Sequence, residues 1–278
     1  MYLREVLSVP AVVNFLAEGG NEFKNAQGVP TTKQNANEHE AESALKALGA
    51  ALKLPLEKYK TGSIIYPGAE TGDADSVIDP SDYIEVDPAL SPKAVQDQFR
   101  EWLSARLSSA GYNELAKKAT VDTPGKYFKI AGDGLTASVQ IPGSKEWLQV
   151  DLDIAEPGEG EFSRWSKRGE PNAPGTAKGA RAKGAFRHIL KSGIARAINP
   201  DWKWSFKGGL VDEKTGEQTK NPADIATKLF GPTGTAADLD NISTILAKLK
   251  ATRPQQYPEI VAKVNDGIAK MKYDYRLQ

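Results

Sequence analysis

The chain contains no cysteine, which excludes a disulfide scaffold, a Cys-ligated zinc site and a thiol nucleophile. Histidine is nearly as scarce. His39 and His188 are the only two, so a three-histidine metal site is excluded and a Ser-His-Asp mechanism would have to use one of them. Net charge is missing as well: 36 Lys+Arg stand against 36 Asp+Glu, and attraction of nucleic acid by the molecule as a whole is not implied. No apolar run approaches the roughly 20 residues that a spanning helix needs. Met1 to Ala17, with Arg4, Glu5 and Asn14, lacks the basic start and the small-residue cleavage site of a targeting segment. The expected address is the cytoplasm. Gly179 is followed by Ala180 rather than Lys, so Gly175 to Gly184 is not a phosphate loop, and no Gly-x-Gly-x-x-Gly follows a strand.

What is present is an ordinary globular composition. The 278 residues are 40% hydrophobic and 26% charged, enough for one large domain or two small ones. Helical spacing runs through Glu38–Leu54, where Ala41, Ala44, Leu45, Leu48, Ala51 and Leu52 share a face, and through Pro92–Ser109, where Val95, Phe99, Trp102, Leu103 and Leu107 do. A further helix is expected over Arg4–Glu18, and Ser109–Lys118 reads as a continuation after a break. Strands are expected at Ser63–Tyr66, Ser76–Ile78, Tyr83–Val86, Tyr127–Ile130, Thr136–Ile141 and Trp147–Ile154. In the last of these, alternation sets Gln149, Asp151 and Asp153 on one face and Leu148, Val150 and Leu152 on the other. Residues 156–184 read as a long loop. A helix follows at Ala185–Ala197, then a strand with Trp202, Trp204 and Phe206 on one side, and helices over Pro222–Leu229, Ala236–Leu249 and Tyr257–Met271.

Chemistry concentrates at Gly72-Asp73-Ala74-Asp75. Carboxylates two apart on extended chain project to the same side, and such a pair is costly without positive charge between them. A hard divalent cation such as Mg²⁺ is the natural occupant. A third carboxylate would come from a neighbouring strand, as Asp151 with Asp153 as its competitor. Three convergent carboxylates can hold two Mg²⁺ ions against a triphosphate. Ten residues before Asp73, Gly62-Ser63 offers backbone N–H groups and a hydroxyl to phosphate. A calcium loop over Asp73, Asp75 and Asp79 fits less well, because Val77 and Ile78 stand where an oxygen ligand and glycine are needed.

Gly62-Ser63, then Gly72-Asp73-Ala74-Asp75, then Val150-Asp151-Leu152-Asp153 together resemble the signature of the nucleotidyltransferase superfamily, the DNA polymerase beta-like fold. Leu148–Leu152 followed by Lys183-Gly184-Ala185-Phe186-Arg187 resembles phage-encoded members in particular, whose setting would be the host cytoplasm. The resemblance covers roughly residues 58–198. It implies an α+β fold, a small mixed β-sheet flanked by helices; the helical segment 1–57 before this core 58–198 and the mainly helical region 199–278 after it are expected from the residue pattern and lie outside the resemblance. The resemblance also implies transfer of a nucleoside monophosphate from a nucleoside triphosphate with two Mg²⁺, for which Mn²⁺ can substitute. By order, Asp73 and Asp75 match the metal-binding pair, Asp151 the third carboxylate, and Ser63 with Gly62 the phosphate contact.

Residues 164–196 hold Arg164, Lys167, Arg168, Lys178, Arg181, Lys183, Arg187, His188, Lys191 and Arg196, with Glu170 the lone acid. One reading is contact with a triphosphate or a nucleic-acid acceptor, with Trp165 and Phe186 stacking on bases; the other is a solvated face. Lys183 and Arg187 are four apart, so both can reach one phosphate. The acceptor stays open among a nucleic-acid end, a protein and a small molecule. A rival from another class keeps the fold without catalysis, as a nucleic-acid-binding or phage structural component. Convergence of the three carboxylates to roughly 3–5 Å separates these readings.

Overall fold

The computed structural model describes residues 22–65, 68, 70–168 and 177–270. The described residues form two compact units, one within 22–168 and the other within 177–270. The helix expected over Arg4–Glu18 lies outside them.

The first unit is built on a six-stranded mixed sheet of order β1-β2-β6-β5-β4-β3. Its strands are β1 (Lys60–Thr61), β2 (Asp73–Ile78), β3 (Asn113–Glu114), β4 (Tyr127–Ala131), β5 (Gly134–Gln140) and β6 (Trp147–Ile154). The β2–β6 and β3–β4 pairs are parallel and the rest antiparallel. The α+β architecture, a mixed sheet with flanking helices, is therefore as expected.

Alternation decides what each face of this sheet carries. Ala74 and Ile78 of β2, Leu148, Val150, Leu152 and Ile154 of β6, Leu135, Ala137 and Val139 of β5 and Phe128 of β4 belong to one hydrophobic cluster. Helices α1 (Glu38–Leu52) and α2 (Pro92–Ser109) complete it with Leu45, Leu48, Leu52, Phe99, Leu103 and Leu107. Burying each such leucine or phenylalanine contributes about 1.5–3 kcal/mol. Asn37 starts α1 with a capping box: its side chain accepts from the N–H of Glu40, whose carboxylate accepts from the N–H of Asn37. A cap of this kind is worth about 1 kcal/mol. The segment before α1 is tied to the sheet as well, through Ala36 paired with Thr71 and the N–H of Lys33 donating to Trp147 at 2.7 Å. Residues 22–57 thus belong with the sheet.

Several expected elements differ. Ser63–Tyr66 is not a strand: Gly62 has a φ of +72° and residues Gly62–Ile65 form a 3₁₀ turn. The left-handed glycine ends extension after Thr61 in spite of the strand preference of Ile64-Ile65. Tyr83–Val86 is not a strand either, because a 3₁₀ turn over Pro80–Asp82 leads straight out of β2. Helix α2 stops at Ser109, and Asn113–Glu114 pairs with β4 instead of prolonging it. The loop expected over 156–184 contains α3 (Gly160–Lys167), with Phe162 and Trp165 buried on one side.

Among the described residues the second unit begins with α4 (Ala177–Ile198), eight residues earlier than expected from the apolar pattern alone. A three-stranded antiparallel sheet follows, from β7 (Trp202–Ser205), β8 (Gly209–Asp212) and β9 (Gln218–Thr219). Helices α5 (Pro222–Phe230), α6 (Ile242–Thr252) and α7 (Tyr257–Lys270) complete it. The stretch expected as one helix from Ala236 is a 3₁₀ turn to Leu239 and then α6, restarted by Asn241, whose side chain accepts from the N–H of Thr244. Helix α4 packs against β7 and the helices that follow it. No helix among the described residues is long and apolar enough to cross a membrane.

Candidate metal centre

The sheet face opposite the hydrophobic cluster carries the chemistry. Parallel pairing of β2 with β6 sets Asp75 opposite Asp151 and Asp73 opposite Gln149, while Val77 faces Asp153. Asp73, Asp75 and Asp151 each present an oxygen, and these atoms lie within 4.8 Å of one another. Register thus decides between the two candidates for third carboxylate: Asp151 joins the pair. Asp153 lies one step further along the face and forms an ion pair with Lys167 at the end of α3.

Two of the carboxylates, Asp151 and Asp73, are held by hydrogen bonds. Thr136 stands opposite Asp151 on β5, and its hydroxyl donates to Asp151 Oδ1. Gln149 Nε2 donates to Asp151 Oδ1 at 3.0 Å and Oδ2 at 3.1 Å. The hydroxyl of Thr71 lies 3.2 Å from Asp73 Oδ1 and donates to the Asp73 carbonyl at 2.7 Å. Gly62 comes up against Asp75 so closely that a Cβ there would stand 2.2 Å from Asp75 Oδ2. Only glycine allows that approach, and its positive φ turns the chain there.

The electrostatics follow from this crowding. Burial pushes the Asp75 carboxyl well above the usual carboxylate range, and the charges of Asp73, Asp151 and Asp153 push the same way, with Lys167 opposing. Asp151 is also raised, by burial first and then by Asp73, against the hydrogen bonds from Thr136 and Gln149. Three carboxylates so placed cannot all be ionised cheaply without a cation among them. The donor set is oxygen only, and its span is close to that across the shell of one Mg²⁺, about 4 Å for ligands at 2.0–2.1 Å. The arrangement therefore fits a hard divalent cation.

Helix α3 is anchored beside this face by Asp79. The Asp79 carboxylate accepts from the N–H groups of Ser81 at 3.0 Å, Gly158 at 3.1 Å and Gly160 at 2.9 Å, and from the Ser81 hydroxyl at 2.6 Å. These bonds outweigh the burial of the group and hold its carboxyl below the usual range. Asp79 is a structural anchor, not a member of the acidic cluster.

The expected cations fare differently. Arg187 is 1% exposed and donates through Nη1 to the Asp240 carbonyl at 2.7 Å. Lys183 is on α4, and its side chain lies outside the described residues, as does that of Phe186. The side chain of Ser63 is likewise outside them. Other members of the basic run have structural partners. Arg164 lies over the Tyr59 ring at 5.1 Å, Lys191 is buried over the Trp204 ring at 4.4 Å, and Arg196 pairs with Glu213. Trp165 is buried against Phe162 with ring centroids 5.8 Å apart. His188 is buried and accepts at Nδ1 from the Trp204 indole N–H. Sequence reasoning passed over Thr136, Gln149 and Thr71 as site residues. Gln149 shares the carboxylate face of β6 by alternation, whereas the place of Thr136 opposite Asp151 appears only once the register is fixed, and Thr71 lies just before β2.

No family model and no curated protein matches the chain. Among solved structures, a ternary P/T complex of Leishmania infantum polymerase beta is similar, with 13% identity and a TM-score of 0.47 over 82% of this chain and 88% of that one. A ternary gap complex of the same polymerase has 14% identity and a TM-score of 0.42 over 95% of this chain and 78% of that one.

Proposed function

We propose that the protein is a nucleotidyltransferase that moves a nucleoside monophosphate from a nucleoside triphosphate to an acceptor. The observation that carries this reading is the convergence of Asp73, Asp75 and Asp151 from two adjacent parallel strands, with the Gly62-Ser63 turn against Asp75. In this reading the three carboxylates hold Mg²⁺, two ions where a triphosphate is bound, and Mn²⁺ substitutes. The metal supplies charge stabilisation at the transferring phosphoryl group and activates the attacking oxygen.

The chain's own residues divide the remaining work. The turn at Gly62-Ser63 offers main-chain N–H groups and a hydroxyl to phosphate oxygens, and glycine lets that backbone approach Asp75. Thr136, Gln149 and Thr71 hold the carboxylates in place. Lys183 remains the proposed cationic contact from the basic run, which is also where a nucleic-acid acceptor would bind.

The test is thermal stability with each of the four ribonucleoside triphosphates and Mg²⁺, on the wild type and on Asp73→Asn/Asp75→Asn. A ligand at 100 times its dissociation constant adds about 2.7 kcal/mol. The expected result is a raised midpoint that needs Mg²⁺ and is lost in the double variant. A wild type that ignores all four, and the deoxynucleotides as well, would leave a fold retained for binding or structure.

A further inference from the structure

Asp151 is held by hydrogen bonds from two buried side chains. Its Oδ1 accepts from two side chains, the Thr136 hydroxyl and the Gln149 carboxamide, while Oδ2 has only a share of the same carboxamide at 3.1 Å. Gln149 is wholly buried and Thr136 is 2% exposed, so water does not compete for either bond. The carboxamide is itself oriented. Its Oε1 accepts from the main-chain N–H of Glu22 at 2.9 Å, which leaves the NH₂ end facing Asp151. That N–H is fixed in turn, because the Glu22 carbonyl accepts from the buried ammonium of Lys129.

From this chain of contacts we infer that Gln149 and Thr136 are positioning residues for the metal centre: Gln149 steadies the Asp151 carboxylate through both oxygens and Thr136 engages Oδ1 alone, so that Oδ2 is the oxygen offered to the cation. The inference rests on the metal-binding reading above and adds which oxygen is used and what sets it. Two consequences follow. A carboxylate with one oxygen engaged elsewhere gives a single ligand, which suits a small octahedral cation such as Mg²⁺ or Mn²⁺ better than Ca²⁺, which readily takes carboxylates through both oxygens. The segment at Glu22, well before the signature residues, also becomes part of the centre's support, through a bond spanning 127 positions in the sequence. Partners that orient ligands in this way are typically worth about 10- to 100-fold in metal affinity.

The experiment measures Mn²⁺ binding to the full chain by electron paramagnetic resonance, with Ca²⁺ as competitor and with folding followed by circular dichroism in EDTA. Gln149→Met removes the donor at similar volume, Thr136→Val removes the hydroxyl, and Thr136→Ser restores it. The expected result is Mn²⁺ affinity at least about tenfold weaker in Gln149→Met and Thr136→Val, wild-type affinity in Thr136→Ser, and a smaller preference for Mn²⁺ over Ca²⁺ in Thr136→Val. In an Asp151→Asn background, Gln149→Met should cause no further loss, since positioning acts only through Asp151. Wild-type affinity in Gln149→Met, or a loss that persists undiminished in the Asp151→Asn background, overturns the inference and leaves the nucleotidyltransferase reading standing. If Gln149→Met does not fold, the Thr136→Val and Thr136→Ser pair decides, and equal affinity in the two overturns it. A wild type that takes up no Mn²⁺ defeats both readings together.

Discussion

On one face of the six-stranded sheet, Leu148, Val150, Leu152 and Ile154 of β6 stand beside Ala74 and Ile78 of β2; on the other, Gln149, Asp151 and Asp153 stand beside Asp73 and Asp75. Neighbouring residues of the same two strands serve these opposite ends. The apolar face gains stability from every side chain that it withdraws from water. The polar face gathers carboxylates that repel one another, and burial with this repulsion raises two of them, Asp75 and Asp151, well above the usual carboxylate range. Stability and function thus alternate residue by residue, and the period of two that separates them is a property of extended backbone. The stable face is what allows the other to be held in an unfavourable state.

The largest effect that sharpens this contrast is on chemistry. Asp75→Asn should lower Mg²⁺-dependent pyrophosphate release from a nucleoside triphosphate by about a thousandfold, equivalent to roughly 4 kcal/mol. Its metal-free stability should move the other way. A carboxyl whose folded pKa lies above its unfolded value, near 3.9, destabilises the fold as pH rises between the two, and fully so above the folded value. In EDTA at neutral pH the neutral amide should therefore melt higher than the wild type. A melting point that falls instead would mean that Asp75 supports the fold, and the contrast between the faces would fail there.

Leu152→Ala is the matching change on the apolar face. Leu152 is 1% exposed and faces Leu135 across the β5–β6 pair, so truncation should cost about 2–5 kcal/mol. Urea denaturation in EDTA measures it. Affinity for Mn²⁺ under native conditions should stay close to that of the wild type, because the change leaves every donor on the polar face in place.

Asp79 is a carboxylate that belongs, by its effect, with the stabilising face. Four donors converge on it and its carboxyl lies below the usual range. Asp79→Ala should cost about 2–3 kcal/mol at neutral pH, the scale of hydrogen bonds to a charged group. A lowered folded pKa gives stability that is present above the unfolded value near 3.9 and is lost as pH falls through the folded one. The gap between variant and wild type should close on acidification, opposite in direction to the Asp75 effect. Denaturation curves at pH 7 and near pH 3 would show whether it does.

How much of this the sequence carries depends on the range of the interactions involved. Alternation in Trp147–Ile154 is local, so the two faces of β6 are legible. The choice between Asp151 and Asp153 is not, because it depends on the register with β2, which comes from packing the whole apolar face. The same reason hides Thr136, which nothing but its place opposite Asp151 connects to the site. Gly62-Ser63-Ile64-Ile65 misleads for the converse reason: two β-branched residues suggest a strand, and the proximity of Asp75 requires a left-handed glycine that ends it. Arg187 and Lys183 share a helix face by spacing, yet spacing cannot tell which way that face points. The Arg187 guanidinium turns inward to Asp240.

Lys167 tests the boundary between the two faces with the smallest expected change in stability. It pairs with Asp153 at the edge of the carboxylate face, and the two side chains are 25% and 40% exposed. An ion pair so open to solvent is worth about 0–1 kcal/mol, and Lys167→Met should alter the melting point in EDTA by little. Its charge nevertheless opposes the other influences that raise Asp75. Removing it should raise the Asp75 carboxyl further. Protons compete with a metal ion for the carboxylate, so Mn²⁺ binding in the variant should be lost at higher pH than in the wild type as the solution is acidified. The sign separates a charge effect from damage to the site, because a damaged site would bind more weakly at every pH without moving the midpoint. A Lys167→Arg variant, which keeps the charge, should restore the wild-type midpoint.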